Sequence, residues 1–82
     1  MTKEALSEYI HYGHEIEFKY NGKKYSITYS MKGVEPEFIS FCEFYKEPTD
    51  VFTFDELVKV TREGTTVLQM WESLTEEDVW IY

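Results

Sequence analysis

Eighty-two residues, 18% of them Phe, Trp or Tyr, suffice for one aromatic-rich core, so the chain is expected to be a single domain over residues 1–82. A formal net charge of −8, from 16 acidic against 8 basic residues, disfavours direct nucleic-acid binding, because an acidic surface repels a phosphate backbone. Cys42 is the only cysteine, which excludes an intrachain disulfide and a cysteine-based zinc site, while the absence of an apolar leader or of ~18 consecutive apolar residues points to a cytoplasmic protein away from membranes.

Residues 2–12 read as a helix, with Thr2 as N-cap, Glu4 in the first turn, and Leu6, Tyr9 and Ile10 forming one apolar stripe. Gly13 stands where a helix-ending glycine belongs.

Residues 14–30 carry the strongest local signal. Asn21-Gly22 is the favoured pair for a two-residue hairpin turn, and alternating runs flank it. The register that this turn imposes pairs Tyr20 with Lys23, Phe18 with Tyr25 and Ile16 with Ile27. It gathers Ile16, Phe18, Tyr25, Ile27 and Tyr29 on one face and Glu17, Lys19, Lys24, Ser26 and Thr28 on the other; a slip of one residue would mix the two sets. The same register sets His14 opposite Tyr29.

Gly33 and Pro36 mark a turn over residues 31–37, and a third strand follows at about 38–46, ending near Pro48. Its alternation is poor, with Phe38, Cys42 and Phe44 on one side and Ile39, Phe41, Glu43 and Tyr45 on the other. Because an unpaired Glu43 should not be buried, Cys42 and Phe44 are expected to face the core. That choice leaves Phe41 and Tyr45 on the outer, otherwise polar face.

The last third reads as helical. Thr53 with Glu56 forms a capping box ahead of Phe54, Leu57 and Val58. Gly64 interrupts, and Thr65 is placed to cap a second helix carrying Val67, Leu68, Met70, Trp71 and Leu74. Thr75 with Asp78 offers one more capped turn before Val79-Trp80-Ile81-Tyr82. The expected fold is α+β: an N-terminal helix, a three-stranded antiparallel sheet, then two or three short helices on one sheet face.

Few residues could carry chemistry. His11 and His14, with Glu8 and Glu15 nearby, are the only cluster resembling a metal site, but Gly13 ends the helix between them and they need not share a face. Two polar residues at a helix-to-strand junction are the plainer account. Cys42 lies among Ile39, Phe41 and Phe44, where a thiol packs as a small hydrophobe rather than acting as a nucleophile. The acids at Asp55-Glu56 and Glu76-Glu77-Asp78 sit at helix starts, where capping and the helix dipole account for them. No catalytic, cofactor or metal residue is therefore expected.

Binding is the better prospect. Seven tyrosines exceed what so thin a core requires, and interfaces favour aromatic residues at their centres. Phe41, Glu43 and Tyr45 on the third strand, with Trp80 and Tyr82, are the candidate contacts for a protein partner or a second copy of the chain. A competing account has the third strand lie edge-on with the final helix covering these side chains. A further alternative is an acidic inhibitor that imitates the phosphate track of a nucleic acid, although Lys19, Lys23, Lys24 and Lys46 interrupt the acids on the strand surface. Aromatic residues on a sheet can also stack bases, but such proteins add a basic groove, which this composition does not supply.

The stretch Ile16-Glu17-Phe18-Lys19-Tyr20-Asn21-Gly22-Lys23-Lys24-Tyr25-Ser26-Ile27, with Phe41-Cys42-Glu43-Phe44-Tyr45, resembles small uncharacterised bacterial proteins, some of them encoded by phages and mobile elements. The resemblance spans residues 15–72 and implies a bacterial cytosolic setting. It implies no activity and assigns no functional residue.

Overall fold

Thr2 begins the first helix as the spacing of its neighbours requires: its hydroxyl accepts from the Ala5 backbone N–H at 3.1 Å. The computed structural model describes residues 1–30 and 38–82, and the turn expected over 31–37 lies outside them. Helix α1 (Lys3–His11) buries Leu6 and Ile10. Strands β1 (Ile16–Tyr20) and β2 (Lys23–Ser30) then form the hairpin in the expected register, from Tyr20↔Lys23 to Ile16↔Ile27. Asn21 and Gly22 both adopt positive φ, 50° and 79°, the left-handed pair that matches the twist of two adjoining strands.

Beyond the hairpin the sheet is wider than three strands. Strand β3 (Phe38–Glu43) pairs with β2, and a three-residue strand β4 (Thr49–Val51) pairs with β3. On the other flank a last strand, β7 (Val79–Ile81), pairs antiparallel with β1, giving the order β4-β3-β2-β1-β7. Three-residue strands are too short to show an alternation in sequence, so neither edge strand was legible. Strands β5 (Thr61–Arg62) and β6 (Thr65–Thr66) make a small separate hairpin around Glu63-Gly64, whose φ values of 53° and 78° repeat the turn of the first.

Helix α2 (Phe54–Lys59) starts at the expected Thr53–Glu56 capping box. Helix α3 (Val67–Ser73) is capped by Thr66 rather than Thr65, with Gln69 closing the box. The shift follows from β6, which pairs Thr65 with Arg62 and Thr66 with Thr61, so that Thr66 is the last extended residue and the helix starts at Val67. Thr75 and Asp78 bracket a single 3₁₀ turn at Glu76–Asp78, which leads into β7 and not into further helix.

Helices α1, α2 and α3 bury their apolar sides against one face of the sheet. Leu6, Ile10, Leu57, Val58, Val67, Met70 and Trp71 join Ile16, Phe18, Tyr25, Ile27, Ile39 and Phe41 in one cluster. Across its centre, Phe18, Tyr25 and Phe41 stack face to face, with centroids 5.4 Å apart for each adjacent pair. Trp71 meets Phe18 edge-on at 6.3 Å, and its indole N–H donates to the Thr2 carbonyl at 2.6 Å, tying α1 to α3.

The third strand therefore faces opposite to expectation. Ile39 and Phe41 point inward, with Phe41 0% exposed, and Cys42 lies on the outer face opposite Ser26. Glu43 is a poor guide to which side of the strand is core. Glu43 shares the inward parity but pairs with Tyr25 at the rim of the sheet, where a carboxylate stays half-exposed, so its polarity says nothing about the residues deeper along the strand. The strand also stops at Glu43: Lys46 N–H bonds back to the Glu43 carbonyl, and Tyr45 has a φ of 68°.

Candidate functional site

The face of the sheet turned away from the helices is built by strand alternation alone. Directly opposed residues share a face, so the pairs Thr28↔Ser40, Ser26↔Cys42, Glu17↔Ser26, Lys19↔Lys24 and Glu17↔Trp80 all lie on it. No described helix covers it, because every helix places its buried residues in the cluster on the other face. Its middle is made of small side chains, Ser26, Thr28, Ser40 and Cys42, which leave the pleated backbone close to the surface. Aromatic side chains stand toward its margins: Trp80 and Tyr82 at the β7 edge, and Phe44 past the end of β3.

Two contacts organise the β7 margin. The Tyr82 hydroxyl approaches a Glu17 carboxylate oxygen at 3.4 Å, and the Tyr82 backbone N–H donates to the Glu15 carbonyl at 2.9 Å. Partial burial and the Glu17 carboxylate both hold the Tyr82 phenol above its ordinary pKa. Lys24 links this margin to the opposite one. Its ammonium lies 5.5 Å from the Trp80 ring centre and 5.9 Å from that of Phe44, within cation–π range of both. A shallow groove of about 350 Å³ opens beside it, lined by Lys23, Lys24, Glu43, Phe44 and Tyr45.

The five expected contact residues thus separate. Trp80, 41% exposed, and Tyr82, 63% exposed, stand at the open face, and Tyr45, fully exposed, projects from the turn after β3. Glu43 lines the groove from the rim. Phe41 is withdrawn from the set, because it is sealed between Tyr25, Phe18 and the Arg62 guanidinium, which lies 5.2 Å from its ring. Lys24 and Phe44 belong with the remainder. The hairpin register already placed Lys24 on this face, but only the pairing of β7 with β1 brings Trp80 alongside it.

No protein-family model, curated protein or solved structure matches this chain.

The residues singled out for chemistry are engaged otherwise. The β1–β2 ladder ends at Ile16, so His14 does not pair with Tyr29; its Nδ1 lies 2.9 Å from the Tyr82 carbonyl and its ring meets Tyr9 edge-on. His11 packs against Tyr12. Among the described residues no three His, Cys, Asp or Glu side chains converge on a point that could hold a metal. Cys42, half-exposed on the open face, places Sγ 3.1 Å from the carbonyl oxygens of Glu43 and Lys46, a structural use of a weak S–H donor. No described helix is long and apolar enough to cross a membrane.

Proposed function

We propose that this chain is a non-enzymatic protein-interaction domain that binds through the open face of its sheet. The observation that carries this reading is the five-stranded face that no described helix covers, with small residues at its centre and Trp80, Phe44 and Tyr82 around it. A sheet face without a covering layer leaves apolar area in water, and aromatic side chains at its margins are the residue types that anchor interfaces. Imitation of a nucleic acid has less support, because Lys19 and Lys24 sit directly opposite one another on the same face and break any track of carboxylates there.

Site-specific photo-crosslinking in cells tests the reading. A benzoylphenylalanine in place of Thr28 is expected to trap one discrete protein, whereas the same group in place of Lys59, exposed on α2, traps none. Equal trapping from both positions, or none from Thr28, would overturn it. Sedimentation of the purified chain then tells whether the trapped protein is a second copy.

A further inference from the structure

Among the described residues no carboxylate forms an ion pair with the lysines of the open face. Lys19 and Lys24 are directly opposed across β1 and β2, where like charges repel. The chain has 16 acids to 8 bases, yet the ion pairs among the described residues are Lys23–Glu63 and Lys59–Asp55, and neither involves Lys19 or Lys24. Glu17, on the same strand and face as Lys19, is engaged elsewhere: it accepts from the Tyr82 hydroxyl at 3.4 Å. Meanwhile the Trp80 and Phe44 rings hold the Lys24 ammonium over the face, beside the groove that Tyr45 and Glu43 help to line.

We propose that this end of the face is the docking site for an acidic segment of a partner protein. Lys19 and Lys24 meet its carboxylates, and Trp80, Phe44 and Tyr45 pack against the apolar side chains between them. The inference rests on the open face being the interaction surface, and it adds the chemistry of the partner. Charge complementarity selects the occupant. Glu17 stands beside Lys19 on the same face, and Glu43 borders the groove next to Lys24 from the rim, so the positive stretch is short. It suits a short acidic peptide, whereas a nucleic acid running on past it would meet those carboxylates and a chain of net charge −8. A second copy would bring its own −8 to the contact.

A phage-displayed library of random dodecapeptides, panned on the full chain, supplies the probe. Enriched peptides are synthesised with a fluorescent label and measured by anisotropy. They are expected to be acidic with interspersed apolar residues. Their affinity should fall about tenfold or more in K19Q/K24Q, and by a similar factor between about 50 mM and about 500 mM NaCl. K19Q/K24Q relieves a like-charge pair but gives up the Lys24 contacts with Trp80 and Phe44, so its circular dichroism and melting temperature are compared with those of the parent, and weaker binding at parent-like melting does not report misfolding. Neutral or basic peptides, or acidic ones that bind K19Q/K24Q undiminished, would overturn the acidic-segment inference. If such peptides still lose binding to Ser26→Arg, which blocks the centre of the face, the interaction surface itself stands. Peptides indifferent to Ser26→Arg, or no enrichment at all, would remove both readings. Binding of an oligothymidine as tight as that of the peptides, or a dimer that K19Q/K24Q dissociates, would replace the acidic segment with those occupants.

Discussion

Phe41, Cys42 and Glu43 are consecutive residues with three different fates, and their order on β3 decides which face of the strand is core. Phe41 is buried in a stack with Tyr25 and Phe18, Cys42 is half-exposed opposite Ser26, and Glu43 sits at the rim. Phe41→Ala should therefore cost about 3–5 kcal/mol in urea unfolding, the range for an aromatic side chain deleted from a packed core. Cys42→Ala should stay within about 0.5 kcal/mol, as a surface substitution does. The reverse order of effects would restore the opposite register. Sequence could not supply this result, because both parities of the strand contain aromatic side chains. Glu43, the charged residue that breaks the tie, stands at a strand end, where parity and burial come apart, whereas Ser40 in mid-strand, on the other parity, lies on the outer face.

At the level of elements, what was legible was what is enforced locally. The Asn21-Gly22 turn fixes the hairpin register through backbone conformation, and the capping box at Thr53 fixes where α2 begins through side-chain hydrogen bonds within three residues. The choice between Thr65 and Thr66 was not local, since pairing in β5–β6 decided it. Thr66→Ala should accordingly cost about 1 kcal/mol of stability by chemical denaturation, with Thr65→Ala costing clearly less. An equal loss at both positions would argue against the assigned cap. Strands β4 and β7 exist because β3 and β1 offer them unpaired backbone groups. No pattern in three residues announces that, and the tail Val79–Tyr82 reads as well as a helix end as it does as a strand.

The whole molecule is an acidic shell around an aromatic core, and its stability should have an alkaline limit set by both. Tyr25 is 2% exposed, and burial first, then the Glu43 carboxylate, hold its phenol above the ordinary value, with the Arg62 charge offsetting part of the rise. A group whose folded-state pKa is raised contributes stability that is intact below its unfolded value, about 10 for tyrosine, and is lost as pH climbs through the folded value. Ionising tyrosines also add to a charge that already stands at −8. The melting temperature should fall as the pH rises above about 10. Tyr25→Phe should flatten the decline, and added salt should relieve the part due to general repulsion. A decline unchanged by Tyr25→Phe would show that Tyr25 does not set the limit.

By itself the sequence determined an α+β chain with a capped first helix, a registered hairpin with one apolar and one polar face, and two further capped helices. Each of these depends on residues within a few positions of one another. Only the tertiary structure decided which face of β3 is buried, that the sheet has five strands, and that Trp80 comes to lie across Lys24 from Phe44. Those outcomes depend on pairings between segments far apart in the chain, above all β7 with β1, and the energy of such a pairing resides in the completed sheet rather than in either segment. The candidate contacts were affected accordingly: Trp80, Tyr82, Tyr45 and Glu43 remain accessible, Phe41 went into the core, and Lys24 took its place on the open face.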